Sequence, residues 1–237
     1  MEHKNIVFLH AFPLNSKMWK YQAENLKEFK VHLIDYQNLS KENLKNYADF
    51  VYDFLKRNGI HKAIFVGLSM GGYIIFQMIR YYKSFIEGIV LANTKASSDS
   101  PELKNKRFEL IKRIENEGIE FLIDEYLPKF LKNRTKEKEE LIKSMIMEAK
   151  KESLIALLKA LANREDSTQI LKEIEVPTLI ISGDSDILST IEDAKLMNKY
   201  IKNSKLIIFE NCAHLSNLEY PENFNSAIRN FIYENFS

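Results

Sequence analysis

Short apolar runs, rich in β-branched residues, alternate along this chain with segments whose apolar residues recur at helical spacing. Runs that lack polar alternation are typical of strands buried on both faces of a sheet. The predicted strands are 5–9, 31–35, 63–66, 88–92, 178–182 and 205–209. The predicted helices are 19–29, 42–58, 72–82, 190–200 and 221–236. The alternation predicts an α/β fold with a mainly parallel sheet of about six strands and helices on both faces.

The interval from residue 95 to residue 171 breaks this alternation. It contains no convincing strand, is rich in Lys and Glu, and carries helical apolar spacing, as in Leu154, Leu157 and Leu161. We interpret it as several amphipathic helices inserted after the fourth strand and packed over the carboxyl edge of the sheet. The predicted domains are therefore a core of residues 1–94 and 172–237 and a helical cap, or lid, of residues 95–171. Ligands of open α/β sheets bind at that edge, so a few cap residues should line a cavity.

Composition and charge argue against several classes of partner. The 237 residues suffice for one large α/β domain with an insertion. Lys and Arg number 34 against 33 Asp and Glu, so no overall field attracts nucleic acid or an anionic membrane. No signal peptide is evident, and no apolar stretch approaches the roughly 20 residues of a membrane span. Together with a single cysteine, Cys212, these features predict a soluble cytoplasmic protein without a disulfide.

A serine lies where the third predicted strand turns into a helix. The sequence there is Gly67-Leu68-Ser69-Met70-Gly71, which has the pattern of a nucleophile elbow. Small residues must flank the serine, because the backbone is strained and the helix passes close to neighbouring strands. We therefore predict that Ser69 is a catalytic nucleophile rather than an ordinary turn serine.

A serine hydroxyl is a weak nucleophile at neutral pH and needs a base and a group that orients the base. The expected chain order is serine, acid, histidine, and His214 is the only histidine after Ser69. Asp184 and Asp186 both follow the fifth predicted strand and compete for the role of the acid. Asp184 is suited to fixing the tight turn after Gly183, whereas Asp186 is better placed to reach His214. These arguments favour Asp186 without excluding Asp184.

The developing oxyanion needs backbone N–H donors. Met70 follows the nucleophile directly and supplies one. The loop after the first strand should supply the other, and Phe12 is the predicted donor because Pro13 lacks an N–H and biases Phe12 toward an extended conformation. His10, in the same loop, is expected to support it by packing and hydrogen bonding rather than to act as a base.

These segments resemble the α/β-hydrolase fold superfamily over nearly the whole chain. The matching motifs are Leu9-His10-Ala11-Phe12-Pro13-Leu14 with Met18-Trp19, Gly67 to Tyr73, Val176-Pro177-Thr178, Gly183 to Asp186, and Ala213-His214 followed by Glu219 and Pro221. The chain is most similar to the branch of small carboxylesterases, 3-oxoadipate enol-lactonase-like hydrolases and cofactor-free haloperoxidases. The resemblance implies that Asp186 is the acid, that Phe12 and Met70 form the oxyanion hole, and that the inserted helices are a cap. It also places Arg164 and Asp166 in the segment that closes such a cap, where we expect a structural ion pair.

Two positions depart from the family pattern. Ala11 stands where glycine is usual, and Leu188-Ser189-Thr190 replaces a proline that commonly follows the acid. Neither position belongs to the predicted triad.

We therefore expect a serine hydrolase that cleaves carboxylic esters or lactones of small apolar acids through an acyl-enzyme, with no cofactor and no metal. One alternative is a cofactor-free perhydrolase or haloperoxidase, in which peroxide resolves the acyl-enzyme. Another is a ligand-binding protein that keeps the fold without turnover. An apolar acyl pocket is suggested by cap residues that could equally form cap core: Phe108, Phe121, Tyr126, Leu127, Phe130 and Met145. No cationic cluster marks a phosphate or carrier-protein site, and the sequence leaves the oligomeric state open.

Overall fold

A parallel sheet forms the centre of the computed structural model, which describes residues 4–236. Its strands are β1 (Asn5–Leu9), β2 (Lys30–Ile34), β3 (Ala63–Leu68), β4 (Ile86–Ala92), β5 (Thr178–Gly183) and β6 (Ser204–Phe209). They lie in the order β2-β1-β3-β4-β5-β6, and every neighbouring pair is parallel. The predicted α/β class with a mainly parallel sheet of about six strands is confirmed.

The burial of each strand follows its place in the sheet. The central strands β3 and β5 are buried along their whole length, as expected for continuous apolar runs covered on both faces. The edge strands β2 and β6 are partly exposed and carry Lys and Ser among their apolar residues. The sheet therefore holds its loops and their side chains at a rigid carboxyl edge.

Helices cover both faces of the sheet. They are α1 (Lys20–Asn25), α2 (Leu44–Arg57), α3 (Met70–Tyr82), α4 (Pro101–Glu117), α5 (Phe121–Phe130), α6 (Lys136–Met147), α7 (Lys151–Ala162), α8 (Ile191–Tyr200), α9 (Ser216–Glu219) and α10 (Pro221–Phe236). Across residues 4–236, no helix is both long and apolar enough to cross a lipid bilayer.

The first predicted helix, 19–29, differs most from the structure. A 3₁₀ turn over Ser16–Trp19 precedes α1, which ends at Asn25. The Asn15 side chain starts the turn by accepting a hydrogen bond from the N–H of Lys17. At the other end, the Phe29 N–H donates to the Leu26 carbonyl, which closes a turn into β2.

Four helices, α4 to α7, lie between β4 and β5, where the sequence predicted helices and no strand. Within this insertion α4 packs against α7 and α5 against α6. Asp99, just before α4, forms buried ion pairs with Arg107 on α4 and with Arg164 beyond α7. Arg164 thus forms a structural ion pair, as expected, but with Asp99, whereas Asp166 accepts from the Ser98 N–H at 2.9 Å. The Asp99–Arg164 pair joins the beginning of the insertion to its end.

Candidate active site

Ser69 occupies a strained turn between β3 and α3. Its backbone has a φ of 54° and a ψ of −113°, a conformation that residues other than glycine rarely adopt. Such a residue costs about 1–3 kcal/mol and persists only where its surroundings hold it. The Ser69 N–H donates to the Ala92 carbonyl at 3.0 Å, and the Thr94 hydroxyl donates to the Ser69 carbonyl at 2.7 Å. Both bonds fix the turn to the end of β4.

Close backbone approach explains the glycines beside this turn. A Cβ on Gly71 would lie 2.1 Å from the Leu9 carbonyl oxygen, and one on Gly67 would lie 2.5 Å from the Gly71 carbonyl carbon. Both contacts are with backbone atoms, which cannot move aside as a flexible side chain could. The beginning of α3 is therefore packed directly on β1, which leaves Ser69 at the carboxyl edge of the sheet.

His214 and Asp186 come together at the same edge. The His214 Nδ1 atom lies 2.8 Å from Asp186 Oδ2, and both side chains are almost completely buried. His214 follows β6 and its ring stacks on Phe130 of α5, with centroids 5.8 Å apart. The Leu215 N–H donates to the Phe130 carbonyl at 3.0 Å, so the loop that carries His214 is bound directly to the inserted helices.

The Asp186 carboxylate is held ionised by its neighbours. Its Oδ1 accepts from the N–H groups of Leu188 and Ser189 at 2.8 and 3.2 Å, and its Oδ2 accepts from the Ser189 hydroxyl at 2.7 Å. Burial alone raises the pKa of Asp186, but the charge of His214 and the hydrogen bonds outweigh burial and lower this pKa below its ordinary value. Ser189 and Leu188, which replace the usual proline, thus supply donors to the carboxylate.

Asn93 is a buried residue of this site that the sequence did not single out. It follows β4 with a φ of 43°, and its amide nitrogen donates to Asp186 Oδ2 at 3.0 Å and to the Ala213 carbonyl at 3.2 Å. Its amide oxygen accepts from the Ser216 hydroxyl at 2.5 Å. Asn93 thus joins the loops after β4, β5 and β6. The only local signal was an asparagine at a strand end, where asparagine tolerates positive φ.

Asp184 lies apart from His214. Its carboxylate is exposed and accepts from the Cys212 N–H at 3.2 Å and from the Ser185 hydroxyl at 2.8 Å. These bonds fix the turn after β5, which is the alternative role considered for this residue. Of the two candidate acids, the structure brings Asp186 to His214.

His10 is buried in the loop after β1 and does not line the cavity described below. Its Nδ1 lies 3.1 Å from the Ala11 carbonyl, its Nε2 accepts from the Tyr36 N–H at 3.2 Å, and its ring stacks on Tyr36. Burial lowers the pKa of His10 to about 4, against the opposing pull of Asp35. The acceptor role of Nε2 requires a neutral ring, so His10 supports the loop as an uncharged group.

The loop with Phe12 forms one wall of the site. The Ala11 N–H donates to the Met18 sulfur at 3.3 Å, and the Ala11 carbonyl accepts from the Leu14 N–H at 3.0 Å. Ala11 has no positive φ, so alanine stands there without backbone strain. The Phe12–Pro13 peptide bond is cis, and the Phe12 ring contacts Tyr126 of α5 edge-on at 5.8 Å.

A cavity of about 330 Å³ opens between the carboxyl edge and the inserted helices. Ser69, His214, Phe12 and Met70 all line it, and Asp186 lies behind His214. The structure thus brings all five predicted site residues to one place. Met70 is the first residue of α3, so its N–H has no partner within the helix.

The apolar residues that suggested an acyl pocket are divided among the cavity, the core and the surface. Tyr126 and Phe130 line the cavity, whereas Leu127 and Met145 are buried in the insertion and Phe108 is 41% exposed. Charged side chains line the same cavity, among them Lys95, Asp99, Arg107 and Asp193. The wall is therefore more polar than the sequence suggested. No group of three or more His, Cys, Asp or Glu side chains within residues 4–236 is arranged to hold a metal ion.

Comparison with known proteins gives consistent matches. The family model described as alpha/beta hydrolase fold matches residues 4–112. The malate-bound structure of a thermophilic esterase from Thermogutta terrifontis has a TM-score of 0.90 and 31% identity, covering 98% of this chain and 90% of that chain. The 3-oxoadipate enol-lactonase 1 of Acinetobacter baylyi is 27% identical over 96% of this chain and 88% of its own length. A proline iminopeptidase of Saccharolobus solfataricus is also 27% identical, over 99% of this chain and 86% of its own.

Proposed function

Because this chain belongs to the α/β-hydrolase fold family and is a hydrolase, we propose that it cleaves carboxylic esters or lactones with Ser69 as nucleophile. His214 is the general base in this proposal, and Asp186 orients it. The oxyanion is bound by the N–H groups of Phe12 and Met70.

The contact between His214 Nδ1 and Asp186 Oδ2, at 2.8 Å, carries the proposal. A carboxylate only accepts, so in the neutral ring this contact assigns the proton to Nδ1 and leaves Nε2 unprotonated. The same ring lines the cavity together with Ser69. An unprotonated nitrogen in that cavity is the group that a serine nucleophile requires.

The reaction then proceeds in two halves. Ser69 Oγ attacks the carbonyl carbon and passes its proton to His214 Nε2, and the oxyanion accepts hydrogen bonds from the two backbone N–H groups. The imidazolium returns its proton to the leaving alcohol, which departs and leaves an acyl-serine. A water molecule loses its proton to His214 and attacks the acyl-serine, and the acid is released as Ser69 recovers its proton. Asp186 remains ionised throughout, in keeping with its lowered pKa.

The known proteins named above support an acyl substrate. One is named an esterase and another an enol-lactonase, and both reactions break an acyl–oxygen bond. The iminopeptidase indicates that amide substrates belong in the same screen.

We also propose that residues 95–171 act as a cap over the cavity. Nine of its lining residues lie on three of the inserted helices, among them Leu103 and Arg107 on α4, Tyr126 on α5 and Leu161 on α7. The insertion would then shape the acyl site, while the core supplies the reacting groups.

The test is hydrolysis of p-nitrophenyl esters from acetate to octanoate by the wild type and by a Ser69→Ala variant. We expect the variant to lose at least about 10³-fold in kcat, because neither attack nor acyl-enzyme formation is possible without the hydroxyl. Ser185→Ala is the matched control, since Ser185 binds Asp184 and Lys132 at the surface and should leave kcat within about twofold. Mass spectrometry after fluorophosphonate treatment gives a second readout, an adduct on Ser69. Equal rates in the wild type and Ser69→Ala, or an adduct elsewhere, would overturn the assignment.

A further inference from the structure

Basic side chains outnumber acidic ones around the cavity. Its lining includes Lys95, Lys106, Arg107 and Lys129 against Asp99, Glu125 and Asp193. The acidic groups are already engaged. Asp99 lies between Arg107 and Arg164, Glu125 pairs with Lys129, and the Asp193 carboxylate caps α8 by accepting from the Thr190 N–H at 2.8 Å.

Lys95 is a cation of this wall without a direct partner in the described chain. It is half-buried, and its ammonium forms no hydrogen bond or ion pair within the part of the chain that the structure describes. Burial lowers the pKa of Lys95, and the charge of Arg164 lowers it further. Together these effects outweigh the charges of Asp193 and Asp99, which raise this pKa. An ammonium in this position gains more from an anion in the cavity than an exposed lysine would.

Arg107 offers donors beside it. Its Nε binds Asp99, and its two Nη nitrogens donate to no other residue among those described. The side chain is 20% exposed, on the cavity side of α4. A guanidinium with free terminal N–H groups is suited to a planar carboxylate.

Lys95 and Arg107 line the same cavity as Ser69. Thr94 donates its hydroxyl to the Ser69 carbonyl at 2.7 Å, and Lys95 is the next residue along the chain. The backbones of Ser69 and Lys95 are thus joined through Thr94, and both residues line one cavity.

From this arrangement we propose that Lys95 and Arg107 form a carboxylate-binding subsite, and that the preferred substrates are esters or lactones whose acyl part carries a second, ionised carboxylate. This inference rests on the proposed function for the bond that is cleaved, and it replaces the expected small apolar acid with a dicarboxylic one.

The kinetic test compares esters of equal shape and different charge. The p-nitrophenyl monoesters of succinate and glutarate are the anionic probes, and the esters of 4-methylpentanoate and 5-methylhexanoate carry an isopropyl group in place of the carboxylate. We expect the wild type to favour the better anionic probe by tenfold or more in kcat/KM, and Lys95→Met to lose most of that preference through a lower kcat/KM on the anionic esters. Lys95→Arg should recover much of the preference.

Lys62→Met is the matched control for the lost charge, because Lys62 is exposed just before β3, at the opposite edge of the sheet. It should not change the preference. Equal rates of the wild type on both kinds of ester, or an equal loss on both in Lys95→Met, would overturn the subsite. If Ser69→Ala still abolished hydrolysis of the neutral esters, the proposed function would stand.

A binding measurement separates the two proposals when no ester is hydrolysed. Calorimetric titration of monomethyl succinate into the Ser69→Ala variant should show binding at least tenfold tighter than for the Ser69→Ala/Lys95→Met double variant. Equal affinities, or no binding to either, would contradict the subsite whatever the outcome with esters.

Discussion

Asp186 accepts hydrogen bonds from Leu188, Ser189, Asn93 and His214 at its two carboxylate oxygens. At the scale of single residues, this arrangement separates Asp186 from Asp184, which the sequence alone left as competing acids. Both stand in one loop, but the direction of each side chain depends on contacts with loops far away in the chain. Such contacts cannot be deduced from spacing.

The Asp186→Asn substitution tests that difference. Asn can still accept from the loop N–H groups, but its amide nitrogen can face His214 and favour the other ring tautomer. We expect kcat for ester hydrolysis to fall by roughly 10⁴-fold with the fold retained, as judged by circular dichroism. Asp184→Asn, in the same loop, should change kcat less than about fivefold. Comparable losses in the two variants would contradict the assignment of the acid.

His10 makes folding depend on pH. The unfolded chain binds a proton at His10 below about pH 6.5, whereas the folded ring stays neutral until its pKa of about 4. The unfolded state therefore binds more protons between these values, so this contribution to stability is complete above pH 6.5 and is lost as the pH falls to 4. We expect the free energy of unfolding to fall over this window by up to about 3 kcal/mol more in the wild type than in His10→Gln.

Urea titrations at intervals from pH 7 to pH 4 measure this difference. His61→Gln is the control, since His61 is exposed and its replacement should leave the wild-type slope unchanged. If the free energy of unfolding fell equally with pH in the wild type and in His10→Gln, His10 would not be held neutral by burial.

At the scale of elements, the sequence predicted the strands to within about two residues. Doubly buried strands give continuous apolar runs, and that signal is local. The helix that follows Ser69 begins at Met70, two residues before the predicted start at Gly72, because the strained conformation of Ser69 completes the turn in one residue. The short helix α9 escaped prediction, since Ser216–Glu219 is held by contacts of its side chains rather than by apolar periodicity.

The inserted helices depend on Asp99. Its carboxylate lies between Arg107 and the buried Arg164, and removing it leaves two cations together in a poorly solvated place. We expect Asp99→Ala to lower the free energy of unfolding by about 3 kcal/mol in urea titrations, and to speed proteolysis within residues 95–171. Glu117→Ala, which removes an exposed ion pair with Arg113 on the same helix, should cost less than about 1 kcal/mol. Similar losses in the two variants would show that Asp99 does not hold the insertion together.

At the scale of the whole molecule, Glu219 joins the insertion to the core. Its buried carboxylate accepts from the Ala213 N–H at 2.5 Å and from the N–H groups of Lys132 and Asn133 at 2.9 and 2.6 Å. One side chain thus holds both the residue before His214 and the segment after α5. The sequence showed Glu219 as part of a motif but gave no sign of its bonds to Lys132 and Asn133, which lie more than eighty residues away.

Glu219→Gln should therefore affect stability and catalysis together. The amide has one acceptor oxygen where the carboxylate has two, so at least one buried N–H loses its partner. We expect the free energy of unfolding to fall by about 2 kcal/mol and kcat to fall more than KM rises. The control is Glu222→Gln, which changes an exposed residue in the first turn of α10 and should match the wild type. An unchanged kcat in a destabilised Glu219→Gln variant would show that Glu219 contributes to stability and not to catalysis.

Asn93 also makes the site sensitive to one chemical change, the deamidation of its side chain. Hydrolysis of its side-chain amide would turn it into aspartate and put a second carboxylate about 3 Å from that of Asp186, and the amide donor to Asp186 and to the Ala213 carbonyl would be lost. Two carboxylates so close cannot both stay ionised, so the pair would share one proton and the negative charge facing His214 would be spread over two residues. A preparation that aged in this way would lose stability as well, because the loops after β4, β5 and β6 would no longer be joined by the Asn93 amide. Deamidation at this one amide would thus disturb the Asp186–His214 pair without any change in the two residues themselves.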